Sequence, residues 1–292
     1  MTSEPGKPRL DVAFVGAGAI ARFLATRIDP MRASVTMLVR RPEQRDLLAS
    51  AGIRADGPSG AFAMPVESFL SSEVPPGRQF DMLFVCVKSG QTGSALVACI
   101  AHLAKNALVI SAQNGLNDDI VAERVERART FGLVLSAPCE AVGDCGVRYL
   151  TNRPSVVLGA LSTSGKSRMP EIRNLFDGRL DVSTTDNLAG ARWSKLAVNC
   201  ASGPLLALTG LSLGALADDM NLRRCAVEVI KEVLSVADRC GAAPAAVLGL
   251  GADDWAAGGS RAEEAVALFG RSNPKGRSSL AADYDRGTQT EI

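Results

Sequence analysis

The chain has 292 residues, 47% hydrophobic and 4% aromatic, with 32 basic against 31 acidic side chains and a net charge of +1. That length suits two domains of ordinary size with ample apolar material for a core. The even charge and the few aromatics argue against nucleic acid or an acidic membrane surface as a partner. The single histidine, His102, all but removes Ser-His and Cys-His catalysis and weakens any transition-metal site, so no metal is expected.

Residues 1–9, with Pro5 and Pro8, read as a loose polar tail. Leu10–Ala21, LDVAFVGAGAIA, is the stretch around which the rest is organised. An apolar strand runs into Gly16, Gly18 and Ala21 and then into a helix containing Ile20, Phe23 and Leu24. This is the G-x-G-x-x-G/A spacing of a dinucleotide-binding turn. Gly16 permits the tight turn, Gly18 lets a pyrophosphate approach the backbone, and Ala21 lets the helix lie on the strand. The free N–H groups of Ala19 and Ile20 at the helix start then face the phosphates. Arg9 before this apolar run gives it a faint likeness to a signal peptide, but the small turn residues inside it fit a nucleotide-binding strand better.

Ser34–Val39 reads as a second strand, followed at once by Arg40 and Arg41. In this fold an acidic residue near that place holds the ribose 2′-OH of NAD, whereas an arginine suits the 2′-phosphate of NADP. Arg40 takes precedence because it directly ends the strand; the alternative is a solvated arginine pair at a helix start. Residues 50–80, rich in Gly, Pro and Ser, fit short strands or a hairpin. Met82–Val87 is a run typical of a central parallel strand, with Lys88 at its carboxyl end. A helix over 91–103 and a strand over Leu108–Ser111 follow, then Gln113, Asn114 and Gly115. Lys88 and Asn114 therefore lie beyond the carboxyl ends of strands, where open α/β sheets bind ligands. Thr130–Leu135 reads as a further strand, and the polar stretch to Gly159 as an extension of the sheet. Ser162–Ser167 reads as a loop without P-loop spacing.

After Asp186 the pattern becomes helical, over 187–208, 219–241 and 261–270, and no strand signal returns. The fold class is α/β: an N-terminal Rossmann-type doubly wound sheet over residues 1–186, followed by an all-helical domain over 187–292, with a cleft expected between them. Leu196–Ala217 carries no charge, but Asn199, Ser202, Pro204 and Gly210 mark it as a helix buried in protein, not a membrane span. The seven cysteines, Cys86, Cys99, Cys139, Cys145, Cys200, Cys225 and Cys240, form no C-x-x-C pair; they read as reduced thiols of a cytoplasmic protein.

In Ala191–Gly210, Lys195 and Asn199 are spaced to share one helix face. A lysine among apolar residues is a candidate acid; the alternative is a snorkelling lysine on a half-buried helix.

The chain resembles the ketopantoate reductase (2-dehydropantoate 2-reductase) family. VGAGAIA, VCVKSGQ, SAQNGLND, RWSKLAVNC and the closing SSLAADYDRGTQTEI carry the resemblance, in order and over nearly the whole chain. It implies NADPH-dependent reduction of a 2-keto acid to a 2-hydroxy acid, with ketopantoate to pantoate in pantothenate biosynthesis first among the candidates. By the resemblance, Lys195 is the general acid, and Asn199, Ser279 and Glu291 bind or orient the substrate. Lys88 and Asn114 lie beside the nicotinamide end of the cofactor, and Gly16, Gly18, Ala19, Ile20 and Arg40 complete its site. An ammonium suits the task, since an alkoxide is far more basic than an amine. Glu291 could hold that ammonium in place; a solvated Glu291 and a helix-capping Ser279 are the alternatives.

Two departures stand out. Gly203, followed by Pro204, occupies the position eight residues after the lysine where the family carries a second asparagine. Family members also continue into a further long helix after T-E-I, so a chain truncated at its C-terminus is expected. A non-catalytic NADP-binding paralogue, or a reductase of another keto acid or of an imine, are the competing readings. The assembly is open, with a homodimer among the choices.

Overall fold

The computed structural model describes residues 9–291 apart from 59, 152 and 153. Residues 1–8 of the tail expected over 1–9, and the final Ile292, lie outside the described residues. Two compact units are present: residues 1–113 with 117–186, and residues 114–116 with 187–292.

The first unit alternates strands and helices: β1 (Leu10–Val15), α1 (Ala19–Ala25), β2 (Ala33–Val39), α2 (Pro42–Ala51), β3 (Ile53–Asp56), β4 (Phe62–Met64), β5 (Glu67–Leu70), β6 (Phe80–Val85), α3 (Thr92–Cys99), β7 (Leu103–Ser111), α4 (Asp118–Ala122), β8 (Thr130–Ser136), β9 (Cys139–Val142), β10 (Gly146–Tyr149), β11 (Ser155–Ala160), α5 (Met169–Asn174) and β12 (Asp181–Thr185). Eight strands make one sheet in the order β12-β11-β8-β7-β6-β1-β2-β5. Its neighbours are parallel except β11, which runs antiparallel to β8. The chain leaves β1 towards β2 and β5 on one side, and β6 towards β7 and β8 on the other. The carboxyl ends of β1 and β6 therefore mark the switch point at which such sheets bind ligands.

Burial on both faces explains the unbroken apolar runs. Val12, Phe14, Met37 and Phe84 pack on one side with Phe23 and Leu24 of α1. Ala13, Val15, Leu83 and Val85 pack on the other with Leu96 of α3 and Val121 of α4. Phe14 and Phe84 stack across adjacent strands at 4.7 Å between centroids.

The sequence-based expectations need four corrections here. The stretch after β8 does not simply extend the sheet: β9 and β10 join β3 and β4 in a separate four-stranded sheet, and only β11 returns to the large one. The helix expected over 91–103 is cut short. α3 ends at Cys99, a 3-10 turn over Ile100–His102 closes the segment, and β7 begins at Leu103, five residues before the expected strand. The 162–167 segment is a 3-10 turn, Thr163–Arg168, started by the Ser162 side chain accepting from Gly165 N–H and leading into α5. β12 was not anticipated; its sequence, DVSTT, is polar and half exposed at the sheet edge.

The second unit contains α6 (Leu188–Thr209), α7 (Ala215–Asp218), α8 (Met220–Arg239), α9 (Ala252–Ala257), α10 (Gly259–Ser272) and α11 (Ser279–Asp285). Asp219 caps α8 by accepting from the N–H groups of Asn221 and Leu222. Ala226, Val227, Ile230 and Leu234 of α8 form one apolar stripe, and Ala197 and Ala201 of α6 complete the cluster with Trp255. The Trp255 indole N–H donates to the Val247 carbonyl at 3.1 Å. The apolar stretch 196–217 is not one helix: Gly210, at φ 71°, ends α6 in the left-handed region and α7 starts afresh. Among the described residues no helix is long and apolar enough to cross a membrane.

Candidate active site

The glycine turn sits at the switch point. Gly16 has φ 89°, and a Cβ there would lie 2.9 Å from Val87 Cγ1 and 3.1 Å from the Cys86 carbonyl oxygen. Both backbone conformation and space therefore demand glycine. Gly18 is different: its φ is −75°, it is exposed, and a Cβ would meet nothing within 4 Å. No protein neighbour requires glycine at 18. Ala21 is fully buried, as close helix–sheet packing demands, and Ala19 and Ile20 are half-buried in the first turn of α1.

Two side chains missing from the sequence reading brace this turn. Arg22 is 3% exposed. It donates to the Ala17 carbonyl at 2.7 Å and to the Gly143 and Gly146 carbonyls at 2.9 and 2.5 Å. Burial pulls its guanidinium below the ordinary arginine value. Gln44 donates to the Asp144 carbonyl at 3.0 Å and more distantly to Ala17 at 3.4 Å. The turn between β9 and β10 is thus bolted to the middle of the glycine turn. The signal was a lone arginine in an otherwise apolar helix, AIARFLA.

Beyond β2 the two arginines differ. Arg41 pairs with Asp144. Arg40 is exposed and has no hydrogen-bond or ion-pair partner among the described residues. Beyond β6, half-buried Lys88 precedes a 3-10 turn, Ser89–Gln91. That turn is held from three sides. The Gln113 amide donates to the Val87 carbonyl and to Thr92 Oγ1, both at 2.8 Å. Thr92 Oγ1 donates to the Ser89 carbonyl at 2.8 Å, and the Asn117 amide to Ser89 Oγ at 3.0 Å. Asn114 is half-buried and is followed by Gly115 at φ 78°.

In the helical unit, the Asn187 side chain caps α6 by accepting from Gly190 N–H at 2.9 Å. Ser194 bridges the Gly190 and Ala245 carbonyls, each at 2.8 Å, which holds the first turns of α6 under the 242–245 segment. One residue on, Lys195 is half-buried and burial lowers its pKa. Among the described residues its ammonium has no hydrogen-bond or ion-pair partner, so Glu291 does not hold it. Glu291 is itself exposed. Asn199, one turn along and half-buried, also lacks a partner among the described residues.

Residues 12–163 match the family described as ketopantoate reductase PanE/ApbA, and residues 187–292 match its C-terminal domain. The chain belongs to the ketopantoate reductase family. With that it falls among the oxidoreductases. A 2-dehydropantoate 2-reductase of Pyrococcus horikoshii is 26% identical over 234 residues, 78% of this chain and 73% of the relative. A crystal structure of a PanE/ApbA family ketopantoate reductase from Ralstonia eutropha is 28% identical, with a TM-score of 0.79 over 97% of this chain and 87% of its own. A D-mandelate dehydrogenase solved with NADH and anilino(oxo)acetate shares the fold at 17% identity, with a TM-score of 0.81 over 97% of this chain and 88% of its own.

Against the family pattern, Gly203 lies under α11: a Cβ there would sit 3.5 Å from Leu280 Cβ. Glycine before Pro204 also avoids the clash between a proline ring and a preceding helical Cβ. Ser279 opens α11 but does not cap it; Ser278 does, accepting from Ala281 N–H at 3.1 Å. Ser278→Ala should therefore cost about 1 kcal/mol and lower Tm by roughly 2–4 °C in thermal denaturation. Exposed Ser279→Ala should leave Tm unmoved. An equal fall in both variants would refute this division of labour.

Proposed function

We propose that this protein reduces the keto group of a 2-keto acid with NADPH, and that 2-dehydropantoate is its first candidate substrate. The observation that carries the reading is Lys195: a desolvated ammonium, unpaired among the described residues, on a helix whose next turn presents an equally unpartnered Asn199. Bound NADPH supplies a hydride to the carbonyl carbon. Lys195 then gives its proton to the alkoxide oxygen, and its charge stabilises that oxygen while negative charge builds. Burial makes the ammonium a stronger acid than an exposed lysine, which favours the transfer. Asn199 and Ser279 donate to the substrate carboxylate or hydroxyl. The bare backbone of Gly18 and the N–H groups of Ala19 and Ile20 receive the pyrophosphate, and Arg40 the 2′-phosphate. Lys88 and Asn114 serve the nicotinamide end.

A second reading keeps the chemistry and Lys195 but moves the substrate to another keto acid or an imine. Gly203 under Leu280 supplies no amide where the family has one, and a lost substrate hydrogen bond is worth on the order of 1 kcal/mol. NADPH oxidation by purified protein across a panel of 2-keto acids, with NADH in parallel, separates the readings. The expected result is turnover with NADPH and 2-dehydropantoate. Turnover confined to other 2-keto acids selects the second reading, and nucleotide binding without any turnover overturns both.

A further inference from the structure

The turn between β9 and β10 lies far in sequence from the glycine turn, yet Arg22 and Gln44 each bond to both. Asp144 sits in that turn with its backbone fixed by Gln44 and its carboxylate on Arg41. Arg41 is the residue after Arg40 at the exit of β2, where this fold meets the 2′ position of the adenine ribose. We propose that Asp144 sets how strongly the protein discriminates NADPH from NADH, by engaging Arg41 and by placing a carboxylate beside the 2′-phosphate subsite. This deepens the NADPH reading and rests on it.

Both consequences oppose a 2′-phosphate. Arg41, while paired, contributes little attraction, and the carboxylate repels a doubly charged phosphate. NADH carries an uncharged hydroxyl there and is not repelled. The pair is exposed, with side chains 56% and 38% accessible, so it is weak and an incoming phosphate can compete for Arg41. Rigidity lies in the backbone instead: buried Arg22 donates to the Gly143 and Gly146 carbonyls and, through Ala17, ties residues 143–146 to the glycine turn whichever partner Arg41 takes. The carboxylate thus moderates the arginine pair, and NADPH preference rests mainly on Arg40.

The test is equilibrium binding of NADPH and of NADH, by nucleotide fluorescence, to wild type, Asp144→Asn, Arg41→Ala and the double variant. Asparagine keeps the shape, and the Gln44 bond is to the backbone carbonyl, so the turn survives; thermal unfolding checks this. Asp144→Asn should tighten NADPH about three- to tenfold and leave NADH within about twofold. Arg41→Ala should remove most of that gain. Equal shifts for both nucleotides, no shift, or a gain undiminished by Arg41→Ala would overturn the proposal. Wild type favouring NADH overturns the Arg40 reading alone, provided Asp144→Asn still moves the ratio towards NADPH. Wild type binding neither nucleotide overturns both.

Discussion

Lys195→Ala should lower kcat by about three orders of magnitude, within the range of a lost general acid, while the Kd for NADPH changes less than about twofold. The separation follows from placement. Lys195 lies on α6 of the helical unit, whereas the glycine turn and Arg40 belong to the sheet unit. Lys195→Arg keeps the charge but not the function, because a guanidinium does not release a proton near neutrality. The pH profile carries the sign: only the ammonium donates, so the rate falls as pH rises through the lysine pKa. Burial lowers that pKa, so the falling limb lies below the usual lysine value of about 10.4. Single-turnover rates with NADPH, set beside fluorescence binding, give both numbers. Full turnover by Lys195→Ala would remove the proton donor from this account.

Arg22→Met should strongly destabilise the sheet unit. It removes three bonds from one guanidinium, leaving the buried Gly146 carbonyl without that donor and the Ala17 carbonyl with only the long bond from Gln44. A cost of about 3 kcal/mol follows from breaking a buried charged network, or roughly 6–12 °C in Tm. Nucleotide affinity should fall too, since the Ala17 carbonyl anchors the middle of the glycine turn. Arg22→Lys should recover little, because a single ammonium cannot reproduce the fork. Thermal denaturation with and without NADPH measures both effects; a loss below about 1 kcal/mol would show that the brace is dispensable.

The central strands and the long helices were readable because their signals are local. VAFV, MLFV and LVI are buried on both faces and carry no polar interruption. α8 shows an apolar stripe at helical spacing under an aspartate cap. What was unreadable depends on partners distant in sequence. β9 and β10 look like any short polar strands; only pairing of β10 with β3 places them in a second sheet. Arg22 and Asp144 acquire meaning only when the β9–β10 turn meets the glycine turn. At the candidate site, the lysine-helix spacing put Lys195 and Asn199 on one face. The adjacent serines of α11 could not be ranked from sequence, because capping depends on which hydroxyl reaches Ala281 N–H.

Pro204 gives α6 a mechanical character that its length conceals. The ring supplies no N–H to the Cys200 carbonyl, and nearby Ser202 and Thr209 hydroxyls bond back to the Val198 and Leu205 carbonyls. The ladder is interrupted just after the turn that bears Asn199. Fraying that begins at the Gly210 end therefore meets a natural stop before it reaches Lys195. The reactive half of the rod can stay wound while its far end breathes.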